Sequence, residues 1–237
     1  LWFLRESKYL NNVRSLLSSS CAISGTGFLF SREIIKKAGG WNFFLLTEDI
    51  EFTVYNVLNG EKIGYCSTAV LYDEQPLKFS QSLTQRMRWA KGYLQVFRKH
   101  GKALVKNVFT KLSFSCFDMC MTIMPAIILT TVSCIVNLAA MTMGVIAGQN
   151  FFVALQSVAE AIGNAYLLMF LIGLITTISE WKHIHTTTIK KILYTFTFPL
   201  FMFTYIPISF IAMFKKVTWQ PIRHTECKTL NQLKELD

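Results

Sequence analysis

Three apolar stretches, residues 123–147, 161–178 and 192–214, fill most of the second half of this chain. Each approaches the roughly 20 residues that a helix needs to cross the hydrocarbon of a bilayer. Of the 237 residues, 52% are hydrophobic and 16% charged, against about 25% charged in soluble domains. Mean hydropathy is +0.37. Part of the chain is therefore expected in lipid. Lys and Arg number 24 against 14 Asp and Glu, for a net charge of +10. A chain both apolar and basic suits a membrane protein with positive cytoplasmic flanks. Nucleic acid is set aside as a partner, because binding it would leave the apolar stretches unexplained.

Charge does not fix the topology. Lys182, Lys190 and Lys191 mark the loop after the second stretch as cytoplasmic, and Lys215, Lys216, Arg223 and Lys228 mark the C-terminal side the same way. A single crossing between them cannot satisfy both. Pro199 and Pro207 interrupt the third stretch. Either that stretch turns back, or the 182–191 loop lies in the interface, or one cluster is not a topology signal.

Four zones are expected: 1–78, 79–111, 112–214 and 215–237. In the first, Gly39-Gly40 and Asn59-Gly60 mark turns, Glu48–Leu58 fits a helix, and 62–71 fits a strand. That alternation predicts an α/β domain. The chain opens at Leu1 without a signal peptide pattern, so the first zone reads as part of a longer domain. In the second zone Phe79, Leu83, Met87, Ala90, Leu94 and Phe97 form one apolar helical face. The other face is expected to carry Arg86, Arg88, Lys91, Arg98, Lys99 and Lys102, and no acid occurs between Gln75 and Phe117. Such a helix beside a membrane span is expected on an anionic leaflet. The third zone is expected in the membrane and the fourth as a tail, with a short extended piece at 219–224. Asp118, at the start of the third zone, is either a functional group or a headgroup-level one. The six cysteines form no CxxC pair, and the four histidines scatter through basic segments. Neither set makes a metal site.

Three constellations could carry chemistry. Thr47-Glu48-Asp49, with Glu51, places three carboxylates at a helix start. Alone, this reads as an N-cap followed by early acids. Gln85-Arg86-Met87-Arg88-Trp89 puts an amide, a guanidinium and an indole on neighbouring helical positions. They can hold a diphosphate and a sugar ring, or can equally be a snorkelling Arg and an interfacial Trp. Gly25-Thr26-Gly27 allows close backbone approach to a ligand, or simply a tight turn.

In order, GTG, GGW at Gly39-Gly40-Trp41, TED, a strand, QRMRW and membrane spans resemble the second half of processive family 2 glycosyltransferases. That group includes cellulose, hyaluronan and poly-N-acetylglucosamine synthases. The resemblance implies the C-terminal half of a GT-A α/β domain, an interfacial amphipathic helix and about three transmembrane helices. It implies Asp49 as general base, with Glu48 supporting it. Gln85, Arg88, Trp89, Gly25, Thr26 and Gly27 would bind substrate, with Arg88 on the leaving diphosphate and Trp89 under the acceptor sugar. Its partners would be a UDP-sugar donor, a polysaccharide acceptor and membrane lipids. A divalent cation, Mg2+ or Mn2+, would have its main ligands in an upstream half, since no Asp-x-Asp occurs here. None of these residues is assigned to metal, and the chain by itself is expected to be inactive. The resemblance places the protein in the cell membrane, multi-pass, with its catalytic part cytoplasmic. A non-enzymatic membrane module and a transferase adding one sugar to a lipid are the competing readings.

Overall fold

The computed structural model describes residues 1–71, 73–148 and 151–221. Its helices are α1 (Trp2–Arg5), α2 (Asn12–Leu16), α3 (Arg32–Lys37), α4 (Glu48–Leu58), α5 (Phe79–Thr110), α6 (Phe114–Ile123), α7 (Pro125–Ile146), α8 (Phe151–Ser179), α9 (Thr188–Phe203) and α10 (Tyr205–Phe214). A π-helical turn, Glu6–Asn11, joins α1 to α2, and a 3-10 turn, Trp181–His183, follows α8. The chain forms two compact units. One is built from residues 1–5 and 126–207, and the other from 6–125 and the segment that begins at 208. Of the expected tail, residues 222–237, with Arg223, His224, Cys227 and Lys228, lie outside the described residues.

The second unit is built on α4, α5 and α6. Their shared core holds Ile50, Val54, Val57, Val96, Leu104, Cys116, Met119, Cys120 and Ile123. The apolar positions of α4 recur at three- and four-residue spacing, so one face enters this core. A second cluster, Ile23, Phe43 and Phe52, packs against Phe28, Ile34 and Ile35. Met87 and Ala90 of α5 meet Ile208 and Ala212 of α10. The expected apolar face of α5 therefore packs protein at its middle, while Phe79 stays exposed at its start. Asp118 is paired: Arg14 meets it at 2.6 and 3.1 Å, and donates to Thr122 at 2.6 Å.

The strand expected at 62–71 does not form, and no strand occurs among the described residues. Residues 61–66 take no regular secondary structure, and a ladder needs a neighbour offering alternate N–H and C=O groups. Here only the N–H of Cys21 reaches Ile63 O, at 2.9 Å. The N–H groups of Ile63 and Tyr65 go instead to the hydroxyls of Ser20 and Ser15, at 3.4 Å each.

The first unit is led by the pairing of α8 with α9. Gly173 lets them approach closely: an added Cβ would lie 2.9 Å from the Phe198 ring. The hydroxyls of Thr177 and Thr195 meet at 2.8 Å, and Tyr166 Oη donates to Phe196 O at 2.9 Å. Small residues and hydroxyls at the contact are what helix pairing in lipid uses. Residues 155–179 and 188–214 are each long and apolar enough to cross a membrane. The second of these is two helices, α9 and α10, broken at Thr204. Pro207 has no N–H to offer the carbonyl four residues back, which ends the ladder there. Thr204 Oγ1 closes the end of α9 by donating to Phe201 O at 2.6 Å.

Candidate active site

The TED segment opens α4. Thr47 is buried, yet its hydroxyl caps no N–H of the helix. Thr47 thus holds the N-cap position, with its carbonyl accepting the Glu51 N–H at 3.0 Å and three acids following, but without a side-chain cap. Its side chain faces α5, where Gly92 leaves just enough space: an added Cβ would stand 2.5 Å from both Oγ1 and Cγ2. Asp49 does the local hydrogen bonding, with Oδ1 accepting the Ile50 N–H at 2.8 Å.

Asp49 is the chemically distinctive group. Burial pushes its carboxyl above the usual carboxylate value, and the neighbouring Glu48 adds to the rise. The N–H groups of Ile50 and Gly25 and the Arg88 guanidinium oppose it. Both helix N–H donors and cations favour the ionised form. The GTG turn thus lies beside the TED carboxylate, with Asp49 Oδ2 at 3.5 Å from the position of a Gly25 Cβ. Gly27 turns the chain at φ +69°, a conformation that glycine adopts without strain. Thr26 is exposed, 3.5 Å from the Ser24 hydroxyl. The GGW segment has a different role. Gly39 and Gly40, at positive φ, end α3 through N–H bonds to Lys36 O and Ile35 O. Trp41 then joins Phe43 and Phe52 in an aromatic cluster, each ring centroid 5.3 Å away.

The QRMRW segment lies in the long helix α5. Arg88 Nη1 donates to Leu46 O at 3.0 Å, just before the TED turn. With Gln85 it lines a cavity of about 290 Å³, together with Ser80, Gln81, Thr84, Thr218, Gln220 and Pro221. Arg88 therefore belongs both to the cavity and to the surroundings of Asp49. Trp89 is half-buried on the next position and does not line this cavity. Arg86 is buried, its guanidinium 5.7 Å from the Phe79 ring. Among the described residues no three His, Cys, Asp or Glu side chains converge as a metal ligand set. Glu48 and Asp49 supply at most two carboxylates, so this arrangement alone does not fit a bound cation.

Four residues around the site have partners that the motifs do not announce. Glu51 is completely buried, and its Oε2 accepts the N–H groups of Phe44 and Leu45 at 3.1 Å each. Its Oε1 takes the Lys99 ammonium, with His100 Nε2 at 3.8 Å. Burial and the adjacent Lys99 lower the pKa of His100. Gln95 Oε1 accepts the Leu46 N–H at 3.2 Å. The signal was present as spacing: 88, 92, 95 and 99 fall on one helical face.

A largely buried carboxylate near a guanidinium that itself lines a cavity is an arrangement suited to group transfer from a phosphate ester. The chain matches the family described as "Glycosyl transferase family group 2" over residues 7–214, and it belongs to that family. Among curated relatives it is similar to a "Probable glycosyltransferase" of Sulfolobus acidocaldarius, 33% identical over 92 residues, covering 38% of this chain and 19% of the relative. It is similar to "Glucomannan 4-beta-mannosyltransferase 1" of Oryza sativa, 30% identical over 93 residues, covering 38% and 18%. It is also similar to a UDP-forming cellulose synthase of Dictyostelium discoideum, in its catalytic chain, 28% identical over 80 residues, covering 34% and 8%. The matched stretch spans under a fifth of each of these relatives. No solved structure matches the chain significantly.

Proposed function

We propose that this chain carries the acceptor-activating part of a membrane-bound, inverting, processive glycosyltransferase that extends a polysaccharide from a UDP-sugar. Asp49 is the general base. It takes the proton of the acceptor hydroxyl as that oxygen attacks the anomeric carbon and the nucleoside diphosphate departs from the opposite face. A base works best when its pKa lies near the operating pH, and burial moves Asp49 in that direction. Arg88 faces the leaving diphosphate, where bidentate donors stabilise developing charge. Gln85 shares that cavity. Trp89 lies under the acceptor sugar, Glu48 supports the base, and the Gly25–Gly27 turn lets substrate approach. The family generally uses a divalent cation, which would add charge neutralisation at the diphosphate; its ligands are not among these residues. The fold reading is the C-terminal half of a GT-A domain.

The cell-membrane, multi-pass reading is supported by the two long apolar helices. Lys102, Lys106 and Lys111 lie exposed beside Phe109, Leu112 and Phe114, which suits an anionic cytoplasmic leaflet. The observation that carries the functional proposal is the largely buried Asp49 carboxyl against the Gly25 turn, with Arg88 holding the Leu46 carbonyl just ahead of it. The test is Asp49→Asn in the membrane-embedded protein that carries this chain. Polymer should fall by 100-fold or more, on the order of a lost general base, with membrane insertion unchanged. Full polymer from the variant would remove Asp49 from the reaction. A product of one added sugar from the wild type would favour the lipid-glycosylating alternative.

A further inference from the structure

One stripe of α5 grips the backbone that leads into the TED turn. Arg88, Gly92, Gln95 and Lys99 follow at spacings of four, three and four, so they share a face. Arg88 takes the carbonyl of Leu46 and Gln95 takes its N–H, at 3.0 and 3.2 Å. Gly92 lies against Thr47 with no room for a methyl group. Lys99 meets Glu51, whose other oxygen returns to the N–H groups of Phe44 and Leu45. Each residue from Phe44 to Thr47 is therefore held by a side chain or a close contact from α4 or α5. Glu51 follows Asp49 by two positions on α4 and has no exposed surface.

We propose that Glu51, Gln95 and Lys99 are positioning residues: with Gly92 they clamp residues 44–47 between α4 and α5 and so fix the Asp49 carboxyl relative to the Arg88 guanidinium. This rests on the roles proposed above for Asp49 and Arg88. Displacing a reacting group by about 1 Å costs on the order of 100-fold in rate, so a loosened clamp lowers turnover while donor binding in the cavity persists. The chemistry of Glu51 makes the proposal separable from mere stability. Its two oxygens both accept, one set facing backbone and one facing Lys99. A glutamine has a single acceptor oxygen, and its NH2 must then face the ammonium, donor against donor. Pairing it with a glutamine at 99 restores an acceptor for that NH2.

The experiment measures kcat and donor KM for membrane-embedded Glu51→Gln, the Glu51→Gln/Lys99→Gln double variant, and Asp49→Asn in parallel. Glu51→Gln should lose about tenfold or more in kcat per inserted molecule, with donor KM within about twofold, a split that follows from lost positioning. The double variant should recover most of that loss. If Glu51→Gln does not accumulate in membranes, Gln95→Met and Gln95→Glu decide: the first removes the acceptor for Leu46 N–H, and the second keeps one. Gln95→Met should then show the kcat loss and Gln95→Glu near wild-type turnover. Unchanged kcat in Glu51→Gln, or equal losses in the single and double variants, would overturn the clamp. If Asp49→Asn transfers sugar at the wild-type rate, the functional reading itself fails; if it abolishes transfer while Glu51→Gln is normal, only the clamp fails.

Discussion

Asp49 meets opposing demands. Burial holds its pKa above the ordinary 3.8, so the native state binds this proton more tightly than the unfolded chain does. The stability it contributes is complete below the unfolded value and is lost as pH rises through the folded one. At neutral pH the ionised carboxylate therefore costs stability. Asp49→Asn should raise Tm at pH 7 in thermal unfolding while abolishing transfer, and a lower Tm would contradict the burial argument. His100 works the other way: its pKa is below 6.5, so its contribution is present above that value and falls away as pH drops below it. Gly92→Ala would set a Cβ 2.5 Å from Thr47. Overpacking of this kind costs about 1–3 kcal/mol, and a chevron or Tm series should show it, together with lost transfer. The motif residues Asp49 and Arg88 were legible in the sequence because their types and order carry chemistry. The places of Gly92 and Gln95 were not, because a helical stripe gains meaning only when the loop it faces is known, and Glu51 was read only as one of three early acids.

At the scale of elements, turns and helices were legible, and pairing was not. Gly39 and Gly40 announced the end of α3, and Glu48–Leu58 is a helix as its pattern suggests. The 61–66 segment kept its β-like composition but found hydroxyls where a ladder would offer carbonyls. Asp118 could not be assigned from sequence because its partner, Arg14, is 104 residues away. That pair ties α2 to α6, so Asp118→Asn should lower Tm by the value of a charged hydrogen bond, about 1.5–3 kcal/mol. Transfer per folded molecule should be unchanged, and a selective loss of kcat would return Asp118 to the catalytic candidates. In the α8–α9 pair, Gly173→Leu forces a side chain into the Phe198 ring. Protease accessibility of the 180–187 loop in membranes should rise; an unchanged digestion pattern would show that the pair does not depend on close approach.

At the scale of the molecule, two units divide the work between a packed helical domain bearing the motif residues and apolar helices long enough for a bilayer. Composition made the second visible at once, since long apolar stretches in a 52% hydrophobic chain with few charges read directly from the sequence. The α/β expectation was not met in the described residues, because strands depend on partners distant in sequence. The chain belongs to a glycosyltransferase family, and the proposed transfer turns on Asp49 and Arg88. The direct test is the pH dependence of transfer by the membrane-embedded protein at saturating donor, for wild type and Arg88→Gln. Rate should fall on an acid limb set above the ordinary carboxylate range, and that limb should move to higher pH in the variant, because Arg88 opposes the rise in Asp49. An acid limb that stays in place when Arg88 is replaced would contradict the pairing of these two residues.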